Sequence, residues 1–147
     1  MKNILVTGGT GFVGSHVVED LLNLGNHVTV TTLRQDPFSY FYDKKLNRKS
    51  VIAQIDLTDF EAVHDLISKS DFDYIFHLGA QPIVDVAFRN PRRTLYSNIC
   101  GTINILESVR LLGDIEGIIV ASSDKAYGKK QKKFSKYVED DPLIGDH

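Results

Sequence analysis

Short apolar runs alternate with longer periodic ones along the chain. Ile4-Leu5-Val6 is continuously apolar, as a strand covered on both faces of a parallel sheet should be. Val13, Val17, Leu21 and Leu24 then recur at helical spacing, and Gly25 follows as a C-terminal cap. Val28 to Thr32 is β-branched throughout and predicts a second strand. Residues 51–55 read as a third strand, 60–67 as a short helix and 74–78 as a fourth strand. Residues 91–112 read as a long helix and 118–121 as a fifth strand. Strand and helix in succession predict an α/β fold, a doubly wound parallel sheet reaching about its fifth strand.

Two segments break the alternation. Residues 34–50, with Asp36-Pro37 and Lys44-Lys45, read as a polar connection between the second and third strands. Residues 128–136, Gly-Lys-Lys-Gln-Lys-Lys-Phe-Ser-Lys, are the one strongly basic run. That run is either a solvated loop or a set of lysines near a pyrophosphate-bearing substrate.

Composition narrows the class. With 147 residues, 42% of them hydrophobic, the chain suits one compact domain spanning residues 1–147 with a core of its own. A net charge of −2 calls for neither nucleic acid nor an anionic membrane. Cys100 stands alone, which excludes an internal disulfide framework and fits a reducing compartment. Met1-Lys2-Asn3 leads straight into a strand with no signal-peptide core, and no apolar run nears the roughly 18 residues of a membrane span. The expectation is a soluble, cytoplasmic domain.

The chemistry-bearing residues gather at predicted strand ends. Thr7-Gly8-Gly9-Thr10-Gly11-Phe12-Val13-Gly14 lies directly after a buried strand and directly before an amphipathic helix. A phosphate needs bare backbone N–H groups and the positive end of a helix dipole, and side chains would block its approach. Gly8 permits a tight turn off the strand, Gly11 a close approach to a pyrophosphate, and Gly14 close packing of helix on sheet. In this setting of strand, glycines, helix and strand the motif points to a dinucleotide and a Rossmann-type sheet. An acid at the end of the second strand would favour NAD through the ribose hydroxyls, but the strand ends in Thr31-Thr32-Leu33-Arg34. Arg34 either pairs with a 2′-phosphate, which suits NADP, or points into water.

Asp56, after the third strand, can accept from an adenine amino group or neighbour the cap of the next helix, with Asp59 in its first turn. Leu78-Gly79-Ala80-Gln81-Pro82 leaves the fourth strand with small residues, which lets a cofactor lie across the sheet end. His77 reads as a satisfied core histidine, and His16, His27, His64 and His147 show no metal-ligand spacing. Ser123-Asp124-Lys125 leaves the fifth strand at the same carboxyl edge. A hydroxyl, a carboxyl and an amine in succession can move protons around a sugar ring, or they can simply close the strand as a Ser-Asp turn.

Together these motifs resemble the extended short-chain dehydrogenase/reductase family, specifically its nucleotide-sugar epimerase/dehydratase branch. The resemblance covers essentially the whole chain. It rests on the glycine motif at 7–14, on Asp56-Leu57, and on His77-Leu78-Gly79-Ala80-Gln81. It rests further on Asn98-Ile99-Cys100-Gly101-Thr102-Ile103-Asn104-Ile105-Leu106-Glu107 and on residues 122–128. Ser123-Asp124-Lys125 resembles the CDP-glucose 4,6-dehydratase group, where epimerases carry small or hydroxyl residues after the active-site Ser or Thr. Ala80-Gln81-Pro82 and the stretch 137–143 are similar to that group too.

The resemblance implies a redox-neutral cycle on a nucleotide-diphosphate sugar: oxidation at C4, loss of water across C5 and C6, and reduction at C6. It implies that Ser123 holds the C4 hydroxyl, Asp124 acts as acid toward the C6 hydroxyl, and Lys125 helps remove the C5 proton. Gly8, Gly11, Phe12, Val13 and Gly14 would cradle the pyrophosphate of NADP or NAD; at the ribose this chain departs from the family, with Thr32 and Arg34 where members usually have an acid for NAD. Asp56 and Leu57 would flank the adenine, and Leu78, Gly79, Ala80 and Asn98 the nicotinamide, with Gln81 toward the substrate.

The alternatives are a 4-epimerase or reductase of the same family and a non-catalytic NAD(P)-binding module. In the family the segment 139–147 runs into a Tyr-x-x-x-Lys pair and then a small substrate domain, both of which would lie past His147. Tyr127 and Tyr137 have no lysine four residues on. The 147 residues alone are therefore expected to bind cofactor weakly or moderately and to form no product. Self-association or poor solubility is expected unless the edge is covered, because residues 118–120 would form an exposed apolar edge; 91–112 is the family's usual dimer helix.

Overall fold

The computed structural model describes residues 1–128 and 136–145. Among these residues five strands form one parallel sheet: β1 (Asn3–Thr7), β2 (His27–Thr32), β3 (Val51–Gln54), β4 (Tyr74–His77) and β5 (Gly117–Val120). Their order is β3-β2-β1-β4-β5, so the chain moves outward from β1 in one direction and then returns to its other side. Helices α1 (Phe12–Asn23), α2 (Tyr40–Asp43), α3 (Phe60–Ser68), α4 (Val84–Arg89) and α5 (Pro91–Leu112) connect them. The expected doubly wound α/β architecture is present. No helix among the described residues is long and apolar enough to cross a membrane.

The two-residue period of β1 divides the core. Ile4 and Val6 face a cluster with Val18, Val28, Val30, Phe41 and Leu46. Leu5 faces the opposite side with Val63, Ile67, Phe72, Ile75 and Ile105. The central strands β1 and β2 are buried along nearly their whole length, whereas β3 and β5 at the margins are half-exposed.

Two connections differ from the sequence expectation. Residues 34–50 are not simply polar: α2 and a 3-10 turn (Leu46–Arg48) bury Phe41 and Leu46 against β1 and β2. The elements that carry them are only four and three residues long, too short for a periodic pattern to show. Helix α4 is also unexpected; it is six residues long, too short for a helical period to show, and buries none of its residues. Helix α5 begins where its sequence says it should. Asn90 caps it by accepting from the Arg93 N–H, Pro91 opens the first turn, and Gly113 ends it at φ 78°.

Candidate functional site

The strand order reverses between β1 and β4, and the crevice outside the carboxyl ends at such a switch point is the usual ligand position in these sheets. Gly8 leaves β1 at φ 66°, a left-handed conformation that side chains disfavour, and a Cβ on it would stand 2.8 Å from the Gly79 Cα. The two strand ends thus pack backbone to backbone. A Cβ on Gly14 would fall 2.2 Å from the Gly8 carbonyl oxygen, which fixes α1 directly on that turn. Gly11 donates its N–H to Gly8 and accepts from Ser15. Helices α3 and α5 each receive a side-chain cap, from Asp59 and Asn90; α1 receives none at Gly11. Its first-turn N–H groups and dipole face the crevice mouth, flanked by the exposed side chains of Phe12 and Val13.

At the end of β2 the buried Thr32 hydroxyl accepts from Thr10 Oγ1 at 2.9 Å and donates to the Arg34 carbonyl at 2.7 Å. It locks the glycine turn to the neighbouring strand, while Arg34 itself is exposed. Asp56 accepts from the Thr58 N–H at 3.0 Å and the Thr58 hydroxyl at 2.9 Å, closing a turn ahead of α3. Asp59, placed by the sequence in the first turn of α3, is instead its cap and accepts from the Ala62 N–H. Leu57 lies over Gly79, and its carbonyl accepts from Asn104 Nδ2 of α5 at 2.9 Å.

Beyond β4, Thr7 Oγ1 receives the N–H groups of Leu78 at 3.1 Å and Gly79 at 3.0 Å. It also meets His77 Nδ1 at 2.8 Å, and His77 Nε2 meets Thr102 Oγ1 at 3.0 Å. His77 is 3% exposed with a partner on each ring nitrogen, a satisfied core histidine, and burial pushes its pKa down. Asn98 Oδ1 accepts from the Gln81 N–H at 2.7 Å and Asn98 Nδ2 donates to the Gln81 carbonyl at 3.2 Å, so these two residues are brought together. Ala80, between them and Gly79, is exposed. Thr7, Thr10 and Thr102 carry these links without a sequence signal for them, save that the four-residue step from Asn98 to Thr102 puts the last on the same helix face.

Ser123, Asp124 and Lys125 are all exposed beyond β5, at the same carboxyl edge. Ser123 caps a 3-10 turn (Asp124–Tyr127) by accepting from the Lys125 N–H at 3.2 Å, so the strand-closing reading holds whatever else the turn does. Tyr137 stacks on Tyr127 with ring centroids 4.9 Å apart and donates to the Gly128 carbonyl. Most of the basic run, residues 129–135, lies outside the described residues.

By spacing alone the chain contains one Tyr-x-x-x-Lys, Tyr40 with Lys44. It lies in the connection after β2, not beside Ser123 in the chain. Tyr40 donates its hydroxyl proton to Glu19 at 2.7 Å, and this bond holds its pKa above the ordinary phenol value. A tyrosine that must take up a substrate proton needs the opposite shift.

A parallel sheet with a glycine turn at its switch point and an uncapped helix above it defines a Rossmann-type fold of the short-chain dehydrogenase/reductase kind. The family model for GDP-mannose 4,6-dehydratase matches residues 5–145, and the chain belongs to that family, within the extended short-chain dehydrogenases/reductases. The family comprises NAD(P)-dependent enzymes that dehydrate or epimerise nucleotide sugars. CDP-glucose 4,6-dehydratase of Salmonella typhimurium is 32% identical over 145 residues, covering 98% of this chain and 40% of the relative. UDP-glucuronate 4-epimerase 1 of Arabidopsis thaliana is 34% identical over 139 residues, covering 88% and 32%. The Thermus thermophilus UDP-glucose 4-epimerase, solved in complex with NAD, superposes with a TM-score of 0.79 at 30% identity over 97% of this chain and 44% of that one. The chain therefore spans less than half the length of these relatives.

Proposed function

We propose that this chain is the N-terminal, cofactor-binding part of a nucleotide-sugar 4,6-dehydratase. The observation that carries the reading is the Ser123-Asp124-Lys125 turn, exposed at the sheet edge that also bears the glycine turn. An acid followed by an amine suits elimination of water, which needs one group to protonate the departing oxygen and another to remove a carbon-bound proton.

The residues of the crevice fit a dinucleotide. Side chains at Gly8 and Gly14 would fill space that the backbone occupies, and the first turn of α1 offers unspent N–H groups for a pyrophosphate. Gly8, Gly11, Phe12, Val13 and Gly14 hold that pyrophosphate, Asp56 and Leu57 flank the adenine, and Thr32 and Arg34 meet its ribose. Leu78, Gly79, Ala80 and Asn98 line the nicotinamide side. The bound dinucleotide supplies a reversible hydride acceptor. Ser123 holds the C4 hydroxyl of the sugar, Asp124 protonates the departing C6 hydroxyl, Lys125 assists removal of the C5 proton, and Gln81 orients the substrate.

The test is product analysis with the complete polypeptide that carries this segment. On nucleotide-diphosphate hexoses it should form the 4-keto-6-deoxy sugar, and Asp124→Asn should abolish that product. A 4-epimer with the 6-hydroxyl retained would establish the second reading, a 4-epimerase, which the Arabidopsis relative supports. Self-association belongs to the same proposal: Tyr96, Ile99, Ile103 and Leu106 leave one face of α5 apolar and exposed, and light scattering should report a multimer.

A further inference from the structure

We propose that Thr102 and His77 are positioning residues, which hold the turn 78–81 and Asn98 in register for the nicotinamide half of the dinucleotide. The inference rests on the cofactor placement above and adds two residues that touch neither cofactor nor sugar in that placement.

Counting protons gives the network one direction. Thr7 Oγ1 already accepts two N–H groups, from Leu78 and Gly79, so its single proton goes to His77 Nδ1. That nitrogen is then bare, and the ring proton sits on Nε2, aimed at Thr102 Oγ1. Thr102 in turn donates to the Asn98 carbonyl at 2.8 Å. The Asn98 amide grips both the N–H and the carbonyl of Gln81.

The network begins and ends on one turn. Its first members are the N–H groups of Leu78 and Gly79, and its last is the backbone of Gln81. Between them it passes through β1, the imidazole on β4 and helix α5. His77 is the bridge, and at 3% exposure its ring takes its partners from these two hydroxyls. Removing the Thr102 hydroxyl strands the Nε2 proton and frees the imidazole from α5. The link through which α5 keeps Asn98 in register with β4 and the turn is then lost, while the pyrophosphate cradle across the crevice keeps its own contacts.

The experiment compares binding of NADH with binding of ADP-ribose, which lacks the nicotinamide, to this chain. Thr102→Val is close to isosteric and should weaken NADH about tenfold while leaving ADP-ribose within about twofold, the loss expected for one stranded buried donor. Thr102→Ser restores the hydroxyl and should restore NADH affinity. A merely structural role would move both ligands together. An unchanged ratio in Thr102→Val, or a wild-type chain that binds NADH no better than ADP-ribose, overturns the positioning role and leaves the dinucleotide site standing. Failure of the wild-type chain to bind either ligand overturns the site and the inference together. A second measurement needs no variant: imidazole nitrogen spectra should show His77 protonated on Nε2 alone, and a proton on Nδ1 refutes the network.

Discussion

Gly14 and the Gly8 carbonyl oxygen are in direct contact across the first turn of α1, with 2.2 Å between that oxygen and the place a Gly14 Cβ would take. An alanine in a helix ordinarily stabilises it by about 1 kcal/mol over glycine. Here the added methyl group meets backbone that has no rotamer to escape into. Gly14→Ala should therefore destabilise the fold by about 1–3 kcal/mol, the usual range for overpacking, read from urea midpoints. A gain in stability would show that α1 can slide on the sheet.

Lys2, just before β1, reaches Asp73 before β4 at 2.9 Å and Glu116 before β5, joining the entries of three strands at the edge opposite the crevice. The Asn3 N–H, and then Lys2, hold the Asp73 pKa below the usual carboxylate value, and Lys2 does the same for Glu116. Stability from these carboxylates is complete above their unfolded values of about 4 and is lost as pH falls through the lower folded ones. Lys2→Met should lower the melting temperature, with the deficit shrinking in about 1 M salt because the pairs are open to solvent. An undiminished deficit in salt would assign the effect to packing.

His77 titrates in the opposite charge sense within the same rule. Burial lowers its folded pKa below the usual 6.5, so the unfolded chain takes up the proton first. Its contribution is intact above about pH 6.5 and is lost as pH falls through the depressed folded value. Both partners of the ring are hydroxyls, Thr7 and Thr102, and neither rewards a charged imidazole. Melting temperatures measured from neutral pH down to about pH 5 should fall, and His77→Gln should flatten that slope. A parallel slope in the variant would place the titration elsewhere.

These three contacts also show what the sequence discloses. The glycine motif, the continuous Ile4-Leu5-Val6 run and the long helix at 91–112 are local signals, and the structure realises each where its pattern lies. Phe41 and Leu46 are buried through tertiary contact alone, so a segment that looks polar supplies core. The hydroxyl links of Thr7 to His77 and Thr10 to Thr32 join residues 70 and 22 positions apart, and no spacing rule connects them. Ser123-Asp124-Lys125 stands out in the sequence because its three polar groups are consecutive in the chain.

The end of β2 yields the last prediction. A carboxylate there would accept from the ribose hydroxyls of NAD and repel the 2′-phosphate of NADP. Thr32 offers no charge, and its hydroxyl is engaged with Thr10 and the Arg34 carbonyl. The exposed Arg34 guanidinium, two residues on, is the cation at this corner that suits a dianionic phosphate. Under the proposed placement Arg34→Ala should weaken NADPH about tenfold, the loss of one charge-assisted bond, and leave NADH nearly unchanged. Thr32→Asp should act from the other side, disfavouring NADPH by repulsion while giving the ribose of NADH an acceptor. Titrations of both variants with both cofactors separate the two effects. Equal losses for NADH and NADPH in Arg34→Ala would remove Arg34 from the 2′ position and leave the ribose corner indifferent to the phosphate.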